Sequence, residues 1–109
     1  MENFFKTINC AVVVCDKEGK VLYQNDKSIS KDGNVCGNNL IGCHKPESWK
    51  MIQKMLNEDC SNIYKVIRTT GSKLVFQTPW YEEDGSIGGL VEIVTELPEN
   101  LREVQRDLI

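Results

Sequence analysis

At 109 residues the chain has room for one domain with one core. A hydrophobic fraction of 40%, a charged fraction of 27% and a net charge of -3, with no basic block, suit an ordinary water-soluble fold and exclude a duplex-wide nucleic-acid surface. No apolar run approaches a membrane span, and the start Met1-Glu2-Asn3-Phe4-Phe5-Lys6 lacks the basic-then-apolar order of a secretory signal. Five cysteines is an odd number, so reduced thiols in the cytoplasm are expected.

Phe4, Phe5 and Ile8 among polar neighbours predict a short amphipathic flanking helix over residues 1–8. The run Cys10-Ala11-Val12-Val13-Val14-Cys15 reads as a strand. Asp16-Lys17-Glu18-Gly19 turns the chain, and Val21-Leu22-Tyr23-Gln24 returns it, which predicts a hairpin. Residues 25–39 are polar and turn-rich, and Asn25 can cap a short helix beginning near Asp26.

Gly42-Cys43-His44-Lys45-Pro46-Glu47-Ser48 holds the only histidine and runs into a helix. Pro46 suits the first helical turn, where its missing N–H is not needed. Trp49, Ile52 and Leu56 follow at helical spacing, and the helix should end about Glu58. Three strands are then expected, over residues 62–68, 73–81 and 87–97. Thr70-Gly71 and Asp84-Gly85 separate them as turns. Pro79 should mark a bulge, a strand end or an edge position. Leu97, Leu101, Val104 and Leu108 predict a flanking helix over residues 98–109 with a seam like that of a coiled coil, too short to be stable alone.

This order resembles a PAS domain over about residues 8–97. Cys15-Asp16-Lys17-Glu18-Gly19-Lys20-Val21-Leu22-Tyr23-Gln24-Asn25 is similar to the family's first hairpin. Gly37-Asn38-Asn39-Leu40-Ile41-Gly42-Cys43-His44-Lys45-Pro46-Glu47-Ser48 resembles a subgroup with a Cys-His-x-Pro-x-Ser stretch before its long helix. Asp84-Gly85-Ser86-Ile87-Gly88-Gly89-Leu90-Val91-Glu92-Ile93 is similar to the hairpin into the last strand. The resemblance implies an α+β fold: a five-stranded antiparallel sheet with helices on one face, occupying residues 9–97. It also implies a ligand space between the sheet and the long helix. Two departures stand out. Leu40 occupies the place of the reactive cysteine in light-sensing flavin members, which argues against a flavin photoadduct. Glu96-Leu97-Pro98 replaces the usual Asp-Ile-Thr close of the last strand.

Cys43, His44, Trp49, Gln77 and Trp80 are the candidate ligand-binding residues. His44 could contact an organic anion at the helix start, serve as an axial ligand to haem iron, or only fix the loop by hydrogen bonding. Cys43 could be an activated thiol or a small buried hydrophobe. A zinc site from Cys36, Cys43, His44 and Cys60 has no Cys-x-x-Cys pair behind it, so no metal site is expected. Gln77, Trp80 and Glu92 lie on predicted strands, and any of the three could line the ligand space, with a solvent-facing charge as the default reading of Glu92. The expected function is a non-enzymatic sensory or regulatory domain. It would bind a small molecule or cofactor, pair as a homodimer through its chain ends, and act on a partner protein in trans. The alternatives are a constitutive dimerisation module without ligand, and a thiol-dependent enzyme using Cys43 and His44.

Overall fold

The structure is a computed structural model and describes residues 3–39 and 46–107. Five strands form one antiparallel sheet: β1 (Ala11–Asp16), β2 (Val21–Gln24), β3 (Asn62–Arg68), β4 (Gly71–Tyr81) and β5 (Ile87–Leu97). Their spatial order is β2-β1-β5-β4-β3, so the last strand sits at the centre beside the first. Two helices, α1 (Asp26–Asp32) and α2 (Pro46–Glu58), fill the middle of the chain. The expected α+β fold and its five strands are therefore present.

Local chemistry explains the turns. The Asp16 carboxylate accepts from the backbone N–H of Glu18 and of Lys20, at 3.0 and 2.9 Å, and closes the β1–β2 turn. Gly19 there has φ +89, a conformation that a side chain would oppose. At the β4–β5 turn the Asp84 carboxylate accepts from both the N–H and the hydroxyl of Ser86, which holds its own pKa below the usual carboxylate range. Pro79 pairs with Leu90 of β5, beyond the last β3–β4 pair at Asn62 and Gln77. There β4 has lost its outer neighbour, and a register shift follows between Trp80 and Tyr81. A residue without an N–H is tolerated where one side of the ladder has ended.

Both helices cover one face. Ile52 and Met55 of α2 pack against Cys15 and Leu90, with Trp49, Leu56 and Cys60 around them. Met55 is 0% exposed, and burying such a side chain is worth about 1.5–3 kcal/mol. Gln24, cross-strand neighbour of Val13, donates to Ser28 of α1, which places α1 over the same face. The opposite face carries an apolar row across four strands, Val12, Ile93, Phe76 and Ile63 in register. At its edge Ile63 and Ile67 are exposed.

The chain ends depart from expectation. Residues 3–10 form turns and bends, not a helix, and no helix appears in residues 98–107. At the start, competing bonds win. The Asp26 N–H donates to the Lys6 carbonyl, Asn25 Nδ2 donates to the Phe5 carbonyl, and the Lys6 ammonium pairs with the Asp26 carboxylate at 3.0 Å. These ties bend the segment onto the start of α1. At the other end Leu101 and Val104 are exposed, and a helix that short is not stable without a surface to bury its stripe.

Candidate functional site

The space between α2 and the sheet is set by strand parity. Cross-strand partners share a face, so Val13, Glu92, Gln77 and Asn62 line up across β1, β5, β4 and β3. Three of them form a hydrogen-bonded row. Asn62 Nδ2 donates to Gln77 Oε1 at 3.0 Å, and Gln77 Nε2 donates to Glu92 Oε2 at 2.7 Å. Gln77 is only 8% exposed, and both its ends are used. A buried amide satisfied in this way is held in one orientation.

Two hollows adjoin the row and share Gln77 and Glu92. One is a cavity of about 50 Å³, otherwise lined by Val13, Cys15, Ile52, Leu90 and Val91. The other is a groove of about 320 Å³ beneath the start of α2, lined also by Glu47, Ser48, Met51, Asn62 and Tyr64. The small cavity has room for one or two waters or a short alkyl group. The groove is at the lower end of the roughly 300–1,000 Å³ typical of ligand sites. Burial pushes the Cys15 thiol up from its ordinary pKa, and the charges of Asp16 and Glu92 add to it. Burial also raises Tyr64, again with Glu92 adding.

Of the residues singled out from sequence, Gln77 lines both hollows. Trp49 does a different job. Its ring packs on the α2 core and closes on Gly19, where an added Cβ would lie 3.0 Å from the indole. Trp80 Nε1 donates to the Cys15 carbonyl at 2.9 Å, and strand parity puts Trp80 with Phe76 and Thr78, away from Gln77. Cys43 and His44 lie outside the described residues. Cys36 is exposed and Cys60 half-buried, both as free thiols. Among the described residues no three metal-binding side chains come together. The cavity of about 50 Å³ is by itself too small for a haem.

The residues alone do not single out Asn62, and for Glu92 they leave open whether it lines the ligand space or faces solvent. The register could have found them. A two-residue turn at Thr69-Thr70 sets Asn62 opposite Gln77, and the β4–β5 hairpin then sets Gln77 opposite Glu92.

No family model and no curated protein sequence matches the chain. Solved structures do match. A sensory box sensor histidine kinase from Vibrio cholerae is 18% identical with a TM-score of 0.67, covering 84% of each chain. The PAS domain of a protein from Colwellia psychrerythraea is 16% identical with a TM-score of 0.64, covering 88% of this chain and 92% of its own. The Aer2 receptor from Vibrio cholerae, described as a dual PAS-heme oxygen sensor, is 12% identical with a TM-score of 0.60, covering 82% and 95%. No helix among the described residues is long and apolar enough to cross a membrane. The strand order, the helices on one face and these likenesses together establish that this chain has the PAS fold.

Proposed function

We propose that the chain is a sensory or regulatory domain that binds a small molecule between α2 and the sheet and passes the change to a partner protein, without catalysing a reaction. The observation that carries this reading is the polar row Asn62–Gln77–Glu92, beside two hollows that share Gln77 and Glu92. A domain built only to be stable gains little from a half-buried carboxylate that forms no ion pair among the described residues, since taking a charge even partly out of water is unfavourable. The similarity to a sensor kinase and an oxygen sensor supports the reading at the level of fold. The free thiols suit a reducing compartment such as the cytoplasm. Native mass spectrometry of freshly purified protein tests it. The expected result is a small added mass released on unfolding; protein wholly at the apo mass contradicts it.

The same proposal includes a homodimer. Phe4, Phe5, Leu101 and Val104 are exposed at the chain ends, and the apolar row Val12–Ile93–Phe76–Ile63 lies on the sheet face away from the helices. An isologous contact is the commonest way for a second copy to cover exposed apolar side chains such as these. Burying two or three large apolar side chains per subunit, at about 1.5–3 kcal/mol each, can offset association costs. In sedimentation the wild type should be dimeric at tens of micromolar, in the range of modest affinities. Leu101→Asp with Val104→Asp should shift it to monomer. A dimer that survives both substitutions places the interface elsewhere.

A further inference from the structure

Glu92 is half-buried and lines both hollows, and it forms no ion pair among the described residues. The ion pairs among the described residues are Lys6–Asp26 and Lys31–Asp32, both distant in the fold. We propose that the groove under α2 takes a small organic ammonium ion, its nitrogen at Glu92 and its short carbon chain directed toward the apolar cavity. The inference rests on the ligand-binding reading above and adds the chemical class.

The direction of the hydrogen bonds is the main argument. Asn62 donates to Gln77, and Gln77 donates to Glu92, so both hydrogen bonds of the row run toward the carboxylate. Turning the Gln77 amide over would set its NH₂ against the NH₂ of Asn62 and its oxygen against the carboxylate. Glu92 is therefore held as an acceptor, with one oxygen engaged by Gln77 and the other left for a ligand. Its charge reaches both sides of the row, acting on Cys15 and on Tyr64.

The groove supplies the remaining partners. An ammonium group has three donors, and a carboxylate accepts from it strongly. Besides Glu92 the lining offers the Ser48 and Tyr64 hydroxyls and a second carboxylate, Glu47. The start of α2 would by itself favour an anion, but Glu47 in its first turn already complements that end of the helix. A hard metal cation wants six or more oxygens, which this lining does not concentrate. Next to Glu92 the cavity walls are Val13, Ile52, Leu90 and Val91, which suit a short alkyl end.

The test is an NMR titration of the full chain with butylammonium, butyrate and 1-butanol, read at the Gln77 and Asn62 side-chain amides. Butylammonium should shift both amides and saturate. Glu92→Gln, nearly the same size, should weaken that binding by about tenfold or more, as expected when the charged partner of an ammonium group is removed. Backbone resonances at Ala11 and Val21 report whether the variant is folded. Butyrate or butanol saturating the site while butylammonium does not would overturn the ammonium assignment and leave the ligand space standing. Butylammonium binding unchanged in Glu92→Gln, or no shift with any probe, would also overturn it; the native mass then decides separately on the sensory reading.

Discussion

Asn25→Ala is expected to destabilise the domain by about 2–4 kcal/mol, a large part of the roughly 5–15 kcal/mol that holds a domain folded. Asn25 is 0% exposed and uses its whole amide. Its oxygen accepts from the Val12 N–H at 2.9 Å and the Ser28 N–H at 3.1 Å. Its nitrogen donates to the carbonyls of Phe5 and Cys10 at 2.9 and 2.8 Å. One side chain thus caps α1, holds the start of β1 and ties down the segment before it. Alanine leaves these backbone groups short of partners in a place water reaches poorly, and each orphan of that kind costs about 1–3 kcal/mol before relaxation. The control is its neighbour. Asp26→Ala removes the exposed ion pair with Lys6 and an exposed charge in the first turn of α1, and should change stability by about 0–1 kcal/mol. Urea unfolding checks both, through a lower midpoint at unchanged slope. Equal effects at the two positions would contradict the account of Asn25.

Gly89→Ala should be at least as severe, upwards of about 3 kcal/mol, for a steric reason. A Cβ at Gly89 would lie 1.9 Å from the Cys15 carbonyl oxygen and 2.8 Å from the Asp16 Cα. Both are backbone atoms of β1, so no side chain can swing aside. The central β1–β5 pair must part where Cys15 faces Leu90 and Asp16 faces Gly89. The same shift disturbs the Trp80 indole bond to the Cys15 carbonyl, so tryptophan fluorescence reports the change directly. Gly85→Ala makes the comparison. There φ is +89 but nothing crowds the new methyl, so only the left-handed backbone opposes it, by about 1 kcal/mol. A loss at Gly89 no larger than at Gly85 would show that β1 and β5 are not packed as closely as described.

Much of this fold is legible in the sequence because its strands are short, β-branched and punctuated by turns with their own chemistry. The third and fifth strands run over the expected residues, and Asn25 caps the helix that begins at Asp26. The chain ends differ from the expected helices because periodicity tells only which face of a helix would be buried. It does not tell whether a surface exists to bury it, and Phe5 and Lys6 are drawn instead into contacts with Asn25 and Asp26. The site was only partly legible. Gln77 could be placed on a strand, but which face looks inward depends on a register fixed by two turns together. Without that register Glu92 reads by default as an ordinary surface charge, and Asn62 draws no notice. The four bonds of Asn25 reach residues as far away in sequence as Phe5, so they follow from the fold and not from a local motif.

The compartment between α2 and the sheet is tested most directly by amide NMR spectra of the isotope-labelled chain, recorded as purified and again after unfolding, extraction and refolding. If a small molecule occupies that space, the two spectra should differ at the Asn62 and Gln77 side chains and around Ile52, Leu90 and Glu92. They should coincide at Ile63 and Ile67 on the far face. Spectra that coincide throughout, or that differ only on the face carrying Ile63 and Phe76, would contradict the account.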